Sequence, residues 1–514
     1  MNTRSFDVAN ITVLVVDDCT TSTMLIKQQL LSLGLLLKNI TCVNKAVDAL
    51  SAARTRFYSV IIVDYHLTAS FTGLELINVM SRANLVSDTT AILMISGDAR
   101  QQTVLTALSG RVRHLLTKPI QTKALNSRIL LSLQEQRELS DAKLHLQNAG
   151  GLSISDIKYL HEKYPNSVCV ESLLIDTLID NRLISELEQF LPLCRGKEHV
   201  SRVCAEAFLQ HHKGNIRQSI RLLSDYVIHN PLCLRALDNL TGLYEITGDL
   251  KLALSTANRA FKHTPSNSQR MVTAVRVSAK LKDLKALQKI GHMYARKVSP
   301  TDHQWLSSMV YYIELIADQF QDLQSVARKK EILLNLNQMF IAIDKQLTTK
   351  QKDELASFKQ LMQSKLLLAD FKPELAHKKL LRSMSFYFEN PIKMPSVLIK
   401  SSIPLLDFFG EFSLKHALEL VLLHKSKTPK AASRDLREIC NSSLNQYPFS
   451  VELRLQALSN KTENTEDQAH ILALDYLLTR ELPPNWSRWL QDYVAGSFAS
   501  QLPQPFSLHI DAIG

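Results

Sequence analysis

Five short apolar runs, at residues 11–16, 40–43, 60–63, 91–95 and 114–116, alternate with stretches of helical spacing over the first quarter of a 514-residue chain. The spacing predicts helices at 20–33 (Met24, Leu25, Gln28, Leu31), at 45–54 (Ala46, Ala49 and Leu50 on one side), at 73–80, at 100–108 and from Lys123 onward. A strand that is apolar throughout is buried on both faces, and strands separated by helices form crossover units with a parallel sheet. The expectation is one doubly wound α/β domain with a five-stranded parallel sheet. Such sheets carry their sites at the carboxyl ends of the strands.

Those ends are chemically distinctive. Asp17 and Asp18 close the first run, Asp64 the third, Ser96 with the small Gly97 the fourth, and Lys118-Pro119 the fifth. All five side chains therefore converge on one sheet edge. Acids at the ends of apolar strands are costly unless something compensates them. A divalent cation does so, and a cluster of carboxylates suits Mg²⁺.

In type and order these residues resemble the receiver domain of two-component response regulators, with its flavodoxin-like fold, over roughly residues 11–130. The resemblance implies that Asp64 accepts a phosphoryl group from a phosphohistidine. It implies that Asp18, Asp64 and the backbone carbonyl of His66 ligate Mg²⁺, with Asp17 acting largely through metal-bound water. Lys118 and the Ser96 hydroxyl would each meet a phosphoryl oxygen, and the peptide bond to Pro119 is typically cis. A loose phosphoryl-transfer transition state needs positioning and charge neutralisation, which these groups supply. A carboxylate can carry the group covalently.

Three positions depart from the family pattern. Leu115 stands where Tyr or Phe is usual, Thr68 stands where a proline is usual, and Gly73 follows Asp64 by nine residues, one more than is common. The active-site loop is thus expected to be lengthened, with the chemistry retained and signal propagation altered.

The last helix of this domain does not stop on time. Leu125, Ile129, Leu133, Leu139 and Leu146 continue its apolar face to a break at Gly150-Gly151. Beyond it strand signals vanish, and the low Gly and Pro counts (14 and 16) favour helices. Pro231, Pro265 and Pro300 follow one another at a nearly constant interval. Between the first two, Leu237, Leu240 and Tyr244 mark one helix, Gly248 a turn, and Ala253, Ala257 and Ala260 a second helix. Val203, Ala207, Gly214, Ser219 and Leu223 repeat the arrangement one unit earlier. Pro165 stands before Pro231 by two such units with a slight deletion.

This pattern is similar to the tetratricopeptide repeat (TPR), a helix–turn–helix of about 34 residues. The predicted organisation is a receiver at 1–125, a connecting helix and Gly-Gly break at 126–151, and TPR-like repeats at 152–300. Further helical repeats of degenerate period would fill 301–514, with one TPR-like unit near 448–483. The stretch 303–430 is off-period.

The remaining composition narrows the class. Seven cysteines, an odd count with no C-x-x-C spacing, indicate reduced thiols rather than disulfides or a zinc site. The first ten residues have no apolar signal core, and no stretch is apolar for long enough to span a bilayer. These features predict a cytoplasmic location with no membrane association. A formal net charge of +11 invites a nucleic-acid reading, but the Lys and Arg are spread out as on solvated helix faces.

No enzymatic output segment and no basic recognition helix is recognised, so the protein is predicted to be a signalling phosphoacceptor rather than an enzyme. Stacked repeats form a groove that binds other proteins. The expected partners are a bacterial sensor histidine kinase or histidine phosphotransfer protein, and an unidentified protein in the groove. A homodimer through the receiver is a further expectation. Two rival readings stand beside this one: a phosphoryl sink competing for a kinase, and a basic RNA- or DNA-binding regulator.

Overall fold

The computed structural model describes residues 10–68, 71–97, 112, 114–148, 153–194, 199–387, 391–409 and 411–426. The predicted helix at 100–108, the Gly150-Gly151 break and the unit near 448–483 lie outside the described residues. The chain divides into two compact units on either side of the Leu281–Lys282 bond.

The strands of the first unit are β1 (Val13–Val16), β2 (Ile40–Val43), β3 (Val60–Asp64), β4 (His66–Thr68), β5 (Phe71–Thr72), β6 (Ala91–Ser96) and β7 (His114–Thr117). Five of them form a sheet in the order β2-β1-β3-β6-β7, with every neighbouring pair parallel. This is the doubly wound order in which the chain reverses direction between β1 and β3. Strands β1, β3 and β6 are buried along their whole length, which is why they are apolar without alternation.

Successive side chains point to opposite faces, so the sheet feeds two cores. Leu14, Val16, Ile61, Val63 and Met94 pack with Ala49, Ala53, Leu76, Ile77 and Met80 from helices Ala46–Thr55 and Gly73–Arg82. Val13, Val15, Val60, Ile62 and Ile95 pack with Ile26 and Leu30 of helix Thr20–Ser32 and with Leu125, Ile129 and Leu133.

One local expectation needs correction. The segment after Asp64 is not simply a longer loop, because β4 and β5 pair antiparallel, His66 opposite Thr72 and Thr68 opposite Phe71, with a shift in register. The Gly73 amide donates to the Tyr65 carbonyl at 2.8 Å and draws the two ends of the hairpin together. Strands this short cannot show a periodicity, so the sequence carried no strand signal there.

The last three residues of the second core's set belong to helix Thr122–Asn148, 27 residues long. At about 1.5 Å per residue it runs for roughly 40 Å. Leu125, Ile129 and Leu133 lie on the sheet, whereas Ala142 and Leu146 pack with Ile157, Leu160, Val170 and Leu174 of the helices that follow. One helix therefore belongs to two cores. Polar contacts secure the second of them: Lys163 and Tyr164 both donate to Asp141 at 2.7 Å, and Ser167 donates to Glu138 at 2.5 Å.

From Val168 the first unit is a stack of helix pairs. The first helices of successive pairs are Val168–Asp180, Val200–His212, Leu234–Thr247 and Ser268–Lys280. Their starts recur at a nearly constant interval. The step from Val168 to Val200 is slightly shorter than the two that follow, which is the slight deletion expected before Pro231. The second helices, Ile184–Phe190, Ile216–His229 and Leu250–His263, advance in the same steps. The turn inside each of the first three pairs contains one residue with positive φ, Arg182 (58°), Gly214 (82°) and Gly248 (81°), and Lys282 (54°), the first residue of the second unit, follows at the same interval. These four keep the same spacing as the helix starts. Glycine adopts this conformation without the steric cost that a Cβ brings.

Small residues sit where helices cross. Ser219 is fully buried and donates to the Ala207 carbonyl at 2.7 Å, and Ala253, Ala257 and Ala260 are buried. Ion pairs join first helices of the stack: Arg202 to Glu171 at 2.7 Å, Arg270 to Asp238 at 2.9 Å and Arg276 to Glu245 at 2.7 Å, while Arg235 reaches past Val200–His212 to Asp176 of Val168–Asp180.

The second unit is also helical over its described residues, but from Trp305 three successive helices are longer than those of the stack and lose the period. Trp305–Gln321, Val326–Asp344 and Thr349–Ala369 have 17, 19 and 21 residues. Trp305 is buried, in line with a packing role. No helix among the described residues is long and apolar enough to cross a membrane.

Candidate functional site

The carboxyl edge of the sheet is built where the apolar strands run out. Val16 is the last buried apolar residue of β1, and Asp17 follows it, itself only 1% exposed. Its Oδ1 accepts the Cys19 amide at 2.9 Å, and its Oδ2 accepts the Ser22 hydroxyl at 2.5 Å. The Asn44 side-chain amide holds the Asp17 carbonyl at 2.9 Å. Asp18 is exposed. Asp64 ends β3 and is buried, and its Oδ1 accepts the His66 amide at 3.3 Å.

Lys118 enters from the end of β7 through a cis peptide bond to Pro119. Its amide donates to the Ser96 carbonyl at 2.9 Å, which fixes the end of β7 against β6. Its Nζ lies 2.7 Å from both Asp17 Oδ2 and Asp64 Oδ2. Ser96, fully buried, closes the same edge. The structure thus gathers Asp17, Asp18, Asp64, Ser96 and Lys118 as the sequence order predicts.

The electrostatics follow from that packing. Burial lifts the Asp64 carboxyl above the ordinary carboxylate range, and the hydrogen bond and charge of Lys118 offset this only in part. For Lys118 burial pulls downward, but the bonds to Asp17 and Asp64 outweigh it and raise its pKa. Oxygens of Asp17, Asp18 and Asp64 all lie within 4.8 Å of one another. Three carboxylates against one bridging ammonium leave excess negative charge. Hard oxygen donors in that arrangement fit Mg²⁺.

Further residues shape the site, and of these Ser22, Asn44, Thr72 and Glu75 were not singled out from the sequence. Ser22 and Asn44 orient Asp17. Gly73 stands so close to β3 that a Cβ there would lie 2.1 Å from the Asp64 carbonyl oxygen and 2.8 Å from Val63 Cγ2. Any other side chain at 73 must displace the strand end that carries Asp64. Thr72 and Glu75 form a reciprocal capping box on the helix that Gly73 opens, and the Thr-x-x-Glu spacing was a readable signal for it. Leu115, at the usual aromatic position, is half-buried and packs on the core that contains Leu76 and Met80.

Residues 13–130 match the family model of the response regulator receiver domain. Solved structures with a similar segment include the receiver domain of the Francisella response regulator 1452, at 23% identity, covering 24% of this chain and 98% of that one, with a TM-score of 0.22. A response regulator receiver domain protein from Clostridium thermocellum matches at 18% identity over 25% of this chain and 98% of its own, TM-score 0.23. RcsB from Salmonella enterica serovar Typhimurium, bound to promoter rprA in the presence of phosphomimetic BeF3-, matches at 17% identity over 35% and 99%, TM-score 0.20.

The first part of the chain is therefore a response regulator receiver domain, a phosphoacceptor module of two-component signalling. An all-helical region follows it.

Proposed function

We propose that the protein is a phosphorelay response regulator in which Asp64 takes a phosphoryl group from the phosphohistidine of a sensor kinase or phosphotransfer protein. The observation that carries this reading is the linked set Asp17–Lys118–Asp64, with Asp18 beside it, at the carboxyl edge of the sheet. Asp18, Asp64 and the backbone carbonyl of His66 would hold Mg²⁺, with Asp17 acting largely through metal-bound water, and the ion when bound neutralises charge on the transferred group.

The chain's own residues do the rest. Asp64 attacks phosphorus, the P–N bond to the histidine breaks, and a P–O bond to the carboxylate forms. Lys118 exchanges its contact with Asp64 for one with a phosphoryl oxygen, and the Ser96 hydroxyl donates to another. Asp17, held by Ser22 and Asn44, keeps Lys118 aimed while Asp64 reacts.

The helical region acts as the output, through protein–protein contacts on TPR-like repeats. The regular recurrence of helix starts at Val168, Val200, Leu234 and Ser268 supports that reading. The pairing of Arg202, Arg235, Arg270 and Arg276 with acids of neighbouring helices weighs against a nucleic-acid groove there. The phosphoryl-sink reading gains from Leu115, since an aliphatic side chain supplies no ring to swing with Ser96.

Incubation with Mg²⁺ and phosphoramidate, read by intact mass, tests the proposal. One added phosphoryl group that is missing in Asp64→Ala is expected. No gain in the wild-type protein would overturn it.

A further inference from the structure

Helix Val326–Asp344 of the second unit carries two apolar faces. Ile332, Leu336, Met339 and Ile343 are buried and join it to its own unit. The other face is open: Val326 is 67% exposed, Leu333 40%, Leu334 60% and Ile341 58%. With 3.6 residues per turn these four lie within an arc of about 100°, along roughly 22 Å of helix. Single exposed aliphatic residues are ordinary, but four on one stripe form a patch of the kind that marks an interaction site. Between Val326 and Ile341, Lys330 and Asn337 are the exposed polar residues inside the same arc, and beyond Ile341 the half-exposed Asp344 at the helix end pairs with Lys352.

The order of the stripe identifies its occupant. Its residues are arranged symmetrically about the midpoint between 333 and 334. Reversing the helix end for end exchanges Val326 with Ile341, Leu333 with Leu334, and Lys330 with Asn337. An antiparallel copy of the same helix therefore sets every apolar residue against an apolar residue and the ammonium against a neutral amide. This is the self-complementarity that a two-fold interface requires.

A parallel copy would also match the apolar residues, but it would press the two Lys330 side chains together. In the antiparallel pair they are separated by about 10 Å along the axis, and the helix dipoles oppose one another favourably.

We propose that this stripe is a homodimer interface in which two copies of the chain pair through antiparallel Val326–Asp344 helices. It is separate from the receiver and goes beyond the phosphoacceptor reading. One helix per copy gives a small contact, so the dimer is concentration-dependent.

Sedimentation velocity of the full chain from about 1 to 100 µM tests the proposal. A shift from 58.1 kDa toward twice that mass is expected. Leu334→Glu should hold the protein at the monomer mass with its helical circular dichroism unchanged.

The register has its own test, in variants at the stripe's ends that lengthen exposed side chains only. Val326→Glu and Ile341→Lys should each dimerise at least tenfold more weakly. Mixing the two should restore the dimer, because the introduced carboxylate of one copy then meets the introduced ammonium of the other. A monomer at every concentration would overturn the proposal, as would a dimer indifferent to Leu334→Glu. Failure of the mixture to recover would overturn the antiparallel arrangement.

Discussion

The receiver sheet and the helical stack of the first unit encode their purposes in different ways. In the sheet, chemistry dictates identity at a few positions. On the proposed phosphoacceptor reading, Asp17, Asp64 and Lys118 must be those residue types at those strand ends, and the strands between them need only be apolar. In the stack no single residue is dictated. Its information is an interval, repeated in the helix starts, the left-handed turn residues and the ion pairs between neighbouring helices. On the proposed function, a reaction is therefore read from types at points, and a docking scaffold from spacing.

That contrast is sharpened by changes that strike each region's own kind of information. The largest loss of stability is expected in the stack, where Glu171 is buried and accepts from His199 at 2.8 Å and from Arg202 at 2.7 Å. Arg202→Met leaves that carboxylate with less compensation and should cost about 3 kcal/mol by denaturant unfolding. The equivalent Arg270→Met, whose partner Asp238 is 40% exposed, should cost less than about 1 kcal/mol.

Next, Gly73→Ala forces a Cβ into the Asp64 carbonyl. It should cost about 1–3 kcal/mol and slow phosphorylation by phosphoramidate while leaving the helical stack intact. A Gly73→Ala protein phosphorylated at the wild-type rate would break the link between that packing and the site.

The third change concerns charge. Because Asp64 is raised by burial, the unfolded chain gives up this proton first as pH rises, so ionisation at this position disfavours the fold. Asp64→Asn should therefore melt higher than wild type at pH 7 without Mg²⁺. The gap should shrink as pH falls through the raised folded value toward the unfolded value of about 3.9. An equal melting temperature across that range would contradict the assigned burial cost.

The smallest effect lies in the turns of the repeats. Gly248→Ala should destabilise by about 1 kcal/mol, because φ is positive there. Arg182→Gly should be neutral or slightly stabilising for the same reason. Opposite responses at these two sites would confirm that they occupy equivalent places in the period.

The same distinction explains what the sequence disclosed. The sheet and the gathering of five residues at its edge were legible because strand ends and residue types coincide. The β4–β5 hairpin was not, since its strands are shorter than any periodicity. The repeats were visible through prolines and through Gly214 and Gly248. The turn before them and the one after escaped notice because Arg182 and Lys282 hold the left-handed position without being glycine. Ser22 and Asn44 escaped because their work is done by hydrogen bonds to Asp17 that no local sequence pattern announces.

Helix Thr122–Asn148 is where the two regions meet, since its first half lies on the receiver sheet and its second half on the helical core. The central claim is that a phosphoryl group on Asp64 is felt by the stack through this shared helix. Hydrogen exchange of residues 154–180, with Mg²⁺ and with or without beryllofluoride, measures that directly. The account predicts a change in protection there that is absent in Asp64→Ala. A response confined to residues 10–130 in a protein that does bind beryllofluoride would contradict it.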